Sequence, residues 1–175
     1  MTEPREGLPP PATPGRYRVA LVCLGNICRS PMAHVVLESA LEEAGLDTAV
    51  EVMSAGTADY HVGGAMDRRA AATLTAHGYD ASRHRAQQLP PAWLDDCDLV
   101  LAMDRDNLAD ILDGAGDVPA SRVRMFRDFD PLADEGDLDV PDPYYGEDDG
   151  FERVLAMVTR TSQALADRLR PLLDS

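Results

Sequence analysis

An apolar run at residues 17–22 leads, through one short loop, into a helical pattern that begins at Ser30-Pro31. The run has the composition of a buried strand, and a serine followed by a proline is typical of a helix N-cap and first helical position. The loop between them reads Cys-Leu-Gly-Asn-Ile-Cys-Arg over residues 23–29. The sequence therefore predicts a β-strand, a tight turn and an α-helix in immediate succession, with the thiol of Cys23 where the strand ends.

This turn places a nucleophile beside positive charge. The first turn of a helix carries the positive end of the helix dipole, and Arg29 adds a fixed cation; both favour the thiolate form of a nearby cysteine. The backbone N–H groups of a short loop before a helix can also curl around an anion. A thiolate inside an anion-binding loop indicates a phosphatase, whereas the simpler alternative for Cys23 is a buried cysteine that only packs.

The rest of the chain alternates between strand and helix patterns. Further strands are predicted at residues 49–53, 99–103 and 122–126, and helices at 31–44, 66–76, 93–97, 104–113 and 150–171. Strands that alternate with helices form parallel βαβ units, whose ligands bind at the carboxyl ends of the strands. The predicted fold class is α/β, and the loop after the first strand is one such ligand-binding position.

One domain, residues 16–175, is expected from the length of the chain. Residues 1–15 contain five prolines, two glutamates and no apolar stretch, so we expect a disordered Pro-rich extension and not a signal peptide. Three cysteines without framework spacing favour a reducing compartment, which we take to be the cytoplasm. No apolar run approaches the length of a transmembrane helix.

Charge and motif content exclude several classes of partner. The net charge of −15 argues against nucleic acid and anionic membrane surfaces, so no binding to either is expected. It also repels phosphorylated substrates at long range, so groups close to the site must capture them. Neither a metal nor a cofactor is expected, because the histidines and Cys97 lack metal-ligand spacing and no nucleotide-binding glycine motif is present.

The loop resembles the signature of the low-molecular-weight protein tyrosine phosphatases, in their bacterial form. The match extends from Val22 to Pro31, and Asp142-Pro143-Tyr144-Tyr145-Gly146 resembles the general-acid loop of that family. Three shorter motifs, at residues 54–57, 77–78 and 103–108, follow in the order of the family, so that the resemblance covers about residues 16–172. It implies a three-layer α/β/α, flavodoxin-like fold with a central four-stranded parallel sheet. It also implies an enzyme that acts on tyrosine-phosphorylated proteins and releases inorganic phosphate. We expect the protein to be a monomer.

The resemblance also implies roles for individual residues. Cys23 would attack phosphorus and form a phosphocysteine, Arg29 would bind the phosphate oxygens, and Asp142 would be the general acid. The phosphate-binding residues would be Leu24, Gly25, Asn26, Ile27, Cys28, Arg29 and Ser30, and the substrate cleft would be lined by Tyr60, Tyr144 and Tyr145. Without the resemblance, Asp142 is one of several acidic residues on the same loop: Glu135, Asp137, Asp139, Glu147, Asp148 and Asp149.

Three more residues in or next to the loop have expected roles, and two of them, Ser30 and Cys28, have alternative interpretations. Asn26 tolerates left-handed backbone angles and is expected to hold the loop in shape. Ser30 could donate a hydrogen bond to the Cys23 thiolate, cap the helix, or do both. Cys28 lies in the same tight loop as Cys23, so a reversible disulfide between them is plausible and would protect the nucleophile from further oxidation. The alternative for Cys28 is a buried packing residue.

Two other activities compete with phosphotyrosine hydrolysis. Protein-arginine phosphatases resemble this chain but have a threonine where it has Ile27, and an apolar Ile27 favours an aryl phosphate. Thiol-coupled arsenate reductases share the fold but have a redox cysteine at the position of Ala102, and they lack the Asp-Pro-Tyr-Tyr-Gly loop. The arsenate reductase is the weaker alternative for both reasons.

Overall fold

The computed structural model describes residues 8–114, 122–134, 136–143 and 149–173. Four strands form one parallel sheet: β1 (Tyr17–Cys23), β2 (Val50–Gly56), β3 (Leu99–Ala102) and β4 (Val123–Met125). Among these described residues, five α-helices accompany the strands: α1 (Arg29–Glu43), α2 (Arg68–Ala76), α3 (Trp93–Asp96), α4 (Arg105–Asp113) and α5 (Asp149–Leu173). A 3₁₀ turn, Phe126–Phe129, follows β4.

The sheet is covered on both faces because the strands are apolar on both faces. Along β1, Val19 and Leu21 point into a large hydrophobic cluster with α1, α2 and α5. Ala20 and Val22 point the other way, into a smaller cluster with α3 and α4. Parallel sheets require this double cover. The fold is therefore the expected three-layer α/β/α arrangement with a four-stranded parallel sheet.

The strand order is β2-β1-β3-β4. After β1 the chain goes to one side of it to make β2 and then crosses over to make β3 on the other side. The loops that follow β1 and β3 therefore diverge, and such a switch point leaves a crevice at the carboxyl edge of the sheet. The loop that begins after Cys23 opens into that crevice.

The helix that follows this loop starts earlier than the sequence pattern indicated. Helix α1 begins at Arg29, its N-cap position is Cys28, and no side chain caps it. Ser30 therefore lies inside the first turn, and the prediction that it is the N-cap is wrong. The physical reason is the tight loop, which enters the helix at Arg29, directly before the Ser-Pro pair, and turns the Ser30 hydroxyl towards the thiol.

The structure also differs from the expected disordered extension at residues 8–15. The hydroxyl of Tyr17 donates to the carbonyl of Pro9 at 2.9 Å, and the carboxylate of Asp98 accepts from the amide of Ala12 at 2.8 Å. Leu8 packs against the larger hydrophobic cluster. These residues thus contact the domain, while residues 1–7 lie outside the described part of the chain. Within that described part, no helix has both the length and the apolar character needed to cross a bilayer.

Candidate active site

The loop of residues 24–28 is anchored by its carbonyl groups. The carbonyl of Cys23 accepts from the amide of Thr57 at 2.9 Å, that of Leu24 from Ala58 at 3.0 Å, and that of Ile27 from Asp67 at 2.9 Å. All three donors belong to backbone that follows β2. The carbonyls are thus bonded to neighbouring backbone, which suits a loop whose N–H groups serve an anion.

Backbone at the end of β2 approaches this loop so closely that only glycine fits there. A Cβ atom on Gly56 would lie 2.5 Å from the carbonyl oxygen of Leu24 and 3.1 Å from the amide nitrogen of Asn26. Both are backbone atoms, so no side-chain movement could relieve the clash. The shape of the loop therefore depends on a glycine from the neighbouring strand.

Asn26 is the centre of the loop. It is fully buried and has a φ of 58°, in the left-handed region that asparagine tolerates. Its Oδ1 accepts from the amide of Gln87 at 3.0 Å, which fixes the orientation of the side-chain amide. Its Nδ2 consequently points at Ser30 and donates to Oγ at 2.8 Å.

The thiol of Cys23 receives two polar neighbours from this arrangement. Oγ of Ser30 lies 3.0 Å from Sγ, and the amide of Asn26 donates to Sγ at 3.3 Å. The hydroxyl of Ser30 also lies 3.4 Å from the carbonyl oxygen of Ala55, but its contact with the sulfur is shorter, and a thiolate sulfur can only accept. A hydroxyl and an amide N–H directed at one sulfur stabilise a thiolate.

Arg29 lies beneath the loop with only 3 % of its surface exposed. Its Nη1 donates to Oδ2 of Asp104 at 2.5 Å and to the carbonyl of Val140 at 3.1 Å, while Nη2 lies 3.6 Å from Oδ2 of Asp142. Burial works to lower the pKa of the guanidinium, but the neighbouring Cys23, Asp104 and Asp142 raise it overall. Arg29 is therefore a fixed, oriented cation.

Asp104 binds this guanidinium from the start of another helix, α4. It is the N-cap of α4, where its Oδ1 accepts from the amide of Asn107 at 2.7 Å. Its other oxygen is the one that binds Arg29. The carboxyl end of β3 is thereby tied to the loop after β1.

These residues surround one cleft of about 300 Å³. The predicted site residues that line it are Cys23, Leu24, Gly25, Ile27, Cys28, Arg29, Tyr60 and Asp142. Asn26 and Ser30 lie behind this wall, buried, and contact Cys23 from there. Tyr144 and Tyr145 lie outside the described residues.

Cys28 lies beside the thiol of Cys23, but its environment disfavours the thiolate form that a reactive cysteine needs. Burial, followed by the negative charge of Asp67, raises its pKa well above the ordinary value. Burial likewise raises the pKa of Cys97, to about 12. All three cysteines are free thiols. At neutral pH, Cys28 and Cys97 are therefore protonated.

Sequence reasoning missed three residues around the site: Asp104, His61 and His84. The sequence places Asp104 at a helix start and in the family motif at residues 103–108 but indicates no role for it, because its contact with Arg29 depends on a strand order that the sequence does not reveal. His61 lines the cleft from the loop after β2, and Nε2 of His84 donates to the carbonyl of Asn26 at 2.6 Å. Neither histidine belongs to a motif that could have identified it. Among the described residues no group of three or more histidines, cysteines or carboxylates is arranged to hold a metal ion.

The family model for low molecular weight phosphotyrosine protein phosphatases matches residues 18–172. A relative from Streptomyces coelicolor, a low molecular weight protein-tyrosine-phosphatase, is 46% identical over 155 residues, which are 88% of this chain and 94% of the relative.

Solved structures agree with the family match. The protein tyrosine phosphatase of Entamoeba histolytica, solved with Hepes in its active site, has a TM-score of 0.83 at 30% identity and covers 89% of this chain and 97% of its own. The arginine phosphatase YwlE, in a mutant with a phosphorylated active-site serine, has a TM-score of 0.77 at 27% identity, covering 87% and 95%.

Proposed function

Because the chain belongs to the low-molecular-weight phosphotyrosine protein phosphatases, we propose that it hydrolyses phosphotyrosine in proteins through a covalent phosphocysteine on Cys23. The observation that carries the proposal is one cleft with a hydrogen-bonded thiol at its base, a buried guanidinium beside the thiol and a carboxylate at the rim. A nucleophile, a phosphate ligand and a proton donor are the three groups that this reaction needs.

In the first step, the thiolate of Cys23 attacks phosphorus, and the bond between phosphorus and the tyrosyl oxygen breaks. The transition state spreads negative charge over the equatorial phosphate oxygens, where the planar guanidinium of Arg29 and the loop N–H groups stabilise it. Asp104 and Val140 fix the direction of Arg29. Its electrostatic contribution is therefore in place before the substrate arrives.

Asp142 gives its proton to the departing phenolate oxygen. Its side chain is 36 % exposed and lies 3.6 Å from the guanidinium, so it is near the phosphate site while remaining in contact with solvent. In the second step the same carboxylate takes a proton from water, which attacks phosphorus and releases inorganic phosphate. The Ser30 hydroxyl, 3.0 Å from Sγ, stabilises the thiolate as it departs.

The lining of the cleft supports an aryl substrate. Leu24, Ile27 and Tyr60 contribute apolar surface around the entrance, against which a phenyl ring can pack. Tyr144 and Tyr145 remain proposals for the same role. The three free thiols fit the reducing cytoplasm in which we propose that the protein works.

Protein-arginine phosphatase activity is the second candidate, because the YwlE arginine phosphatase has a closely similar fold. Ile27 argues against it. Its apolar side chain lines the cleft and offers no partner to the N–H groups of a phosphoguanidinium, which are costly to leave unbonded.

The test is a side-by-side measurement of kcat/KM on phosphotyrosine, phosphoserine and phosphoarginine peptides, with Cys23→Ser as the inactive control. We expect phosphotyrosine to be preferred to phosphoarginine by about tenfold or more, which is about 1.4 kcal/mol in the transition state. Ile27→Thr should narrow that ratio. Equal hydrolysis of the two by the wild-type enzyme would make the arginine phosphatase the better account, and turnover by Cys23→Ser within tenfold of wild type would exclude Cys23 as the nucleophile.

A further inference from the structure

A second cleft, of about 450 Å³, lies beside the active site. Its walls are mostly apolar, and its floor comes from the segment before α3, from α3 itself and from α4. The apolar residues that define this side cleft are Leu24, Tyr60, Leu89, Pro91, Leu94 and Ile111. Leu94 and Ile111 belong to the smaller hydrophobic cluster, and Leu89 packs against it, so the floor of the side cleft rests on the core and is rigid.

The side cleft is continuous with the active site. Leu24 and Tyr60 line both clefts, and their side chains are unusually exposed for large apolar residues, at 38% and 71%. A phosphotyrosine whose phosphate reaches Cys23 must leave its own backbone near the mouth of the active site. The residues that flank it along the peptide then lie next to the side cleft.

Charge selects among possible flanking residues. Of the described residues that line the side cleft, only Asp110 carries charge, and it is exposed. The whole chain has a net charge of −15. An acidic flanking residue would therefore meet a carboxylate and no cation, whereas an aliphatic side chain would lose its water against apolar walls.

We propose that the side cleft is a specificity subsite that takes an aliphatic side chain flanking the phosphotyrosine of a protein substrate. The proposal rests on the proposed phosphotyrosine phosphatase activity and adds a preference within that substrate class. It requires no movement of the catalytic loop. It predicts that sequence context changes the apparent affinity for peptides while the chemistry on small aryl phosphates stays the same.

The experiment uses the full chain and a set of phosphotyrosine peptides with alanine on both sides. A single leucine, or a single aspartate, is moved through positions −3 to +3, and phenyl phosphate is measured in parallel. We expect leucine at one position to raise kcat/KM about tenfold, mainly through KM, as burial of most of one aliphatic side chain would do. Aspartate at that position should lower kcat/KM several-fold.

Two variants connect the effect to the side cleft. Leu89→Gln should remove most of the leucine preference and leave turnover of phenyl phosphate within about twofold. Asp110→Arg replaces an exposed side chain, so we expect the variant to fold. It should reduce or reverse the loss of kcat/KM that aspartate causes at that peptide position. Asp106→Arg, on an exposed position of the same helix but not on the side cleft, changes the net charge equally and should leave the aspartate penalty as in wild type.

The possible outcomes distinguish failure of the subsite proposal from failure of the phosphotyrosine phosphatase proposal on which it rests. If phenyl phosphate and the alanine peptide are hydrolysed but leucine has no effect at any position, the subsite is refuted and the phosphatase stands. If the leucine preference survives Leu89→Gln, or if Asp106→Arg acts as strongly as Asp110→Arg, the preference does not come from this cleft. Loss of all activity on phosphotyrosine would overturn both proposals.

Discussion

Oδ2 of Asp104 lies 2.5 Å from Nη1 of Arg29, and this contact joins the N-cap residue of α4 to the first residue of α1. The two residues are 75 positions apart in the sequence and meet because β1 and β3 are neighbours in the sheet. A carboxylate this close orients the guanidinium, and its negative charge also repels a bound phosphate. Asp104 therefore fixes the direction of Arg29 but weakens the net attraction of the site for phosphate.

Replacement of Asp104 by asparagine should separate these two effects. Asparagine can still cap α4 through its side-chain oxygen, but its NH2 group then replaces the oxygen that accepts from Arg29 and, being a donor, cannot bind the guanidinium. We expect kcat on an aryl phosphate to fall about tenfold or more because the cation is less well aimed, and the free energy of unfolding to fall by about 1–3 kcal/mol. Steady-state kinetics and urea unfolding measure the two. Asp106→Asn, exposed on the same helix, is the matched control, and an unchanged kcat in Asp104→Asn would mean that Arg29 needs no such support.

Asp142→Asn should slow hydrolysis of phosphotyrosine by roughly 10²-fold or more, the usual loss on removal of a general acid. Aryl phosphates with acidic leaving groups should lose much less, since their phenolates depart without a proton. A plot of log kcat against leaving-group pKa, which becomes steeper in the variant, is the diagnostic. Asp139→Asn, on the same loop but bonded to the amide of Arg105, should change rates less than about threefold. Equal losses for all leaving groups would give Asp142 a structural role instead.

Mild peroxide should inactivate the enzyme reversibly through a disulfide between Cys23 and Cys28. Peroxide oxidises the thiolate of Cys23 to a sulfenic acid, which the sulfur of Cys28 attacks with loss of water. Because burial and Asp67 raise the pKa of Cys28, its thiolate is scarce and this second step should accelerate as the pH rises. Peptide mapping and recovery by thiol follow the reaction.

Asp67→Asn tests the cause of that slow step. Asparagine keeps the cap on α2, where Asp67 accepts from the amides of Arg69 and Ala70, but removes the charge that disfavours the Cys28 thiolate. The disulfide should then form faster at a given pH. Cys97→Ser should change nothing. A disulfide that includes Cys97, or oxidation of Cys23 only to sulfinic acid, would contradict the assignment of Cys28.

His84 should make the protein less stable in mild acid. Its pKa lies below the ordinary 6.5, chiefly because of burial and also because His34 and Arg85 are near, although the bond to the carbonyl of Asn26 works in the other direction. In the unfolded chain this histidine takes its proton first, so the stability is fully present above pH 6.5 and falls as the pH drops from there to the lower folded pKa. The free energy of unfolding of His84→Gln, whose amide can still donate to Asn26, should depend less on pH across that window. Parallel curves for variant and wild type in urea unfolding at pH 7.5, 6.5 and 5.5 would show that His84 does not titrate there.

Local patterns in the sequence were enough to predict the order of elements and the position of the thiol. The apolar run before Cys23 and the left-handed tolerance of Asn26 are properties of a few adjacent residues, and the structure has β1 ending at Cys23 and a φ of 58° at Asn26. The family resemblance added Asp142, which spacing alone could not select from the other acidic residues of its loop.

Contacts between segments that are distant in the sequence could not be predicted from it. The support of Arg29 by Asp104, and of Asn26 by His84 and Gln87, depends on which strands are adjacent, and an alternation of strands and helices is compatible with several strand orders. The Ser30 error has a different cause. A serine before a proline favours the N-cap, but here the tertiary bonds to Cys23 and Asn26 outweigh that local preference.

The central position of β1 has a consequence for how the enzyme loses activity. This strand has a hydrogen-bonded neighbour on each side and helices over both faces, and amide protons in such strands exchange with solvent only when the whole domain opens. The proposed nucleophile, Cys23, lies at the end of this strand and should therefore not unfold separately from the domain. Mild heat or a destabilising substitution should reduce the number of active molecules without loosening the site in those that remain folded.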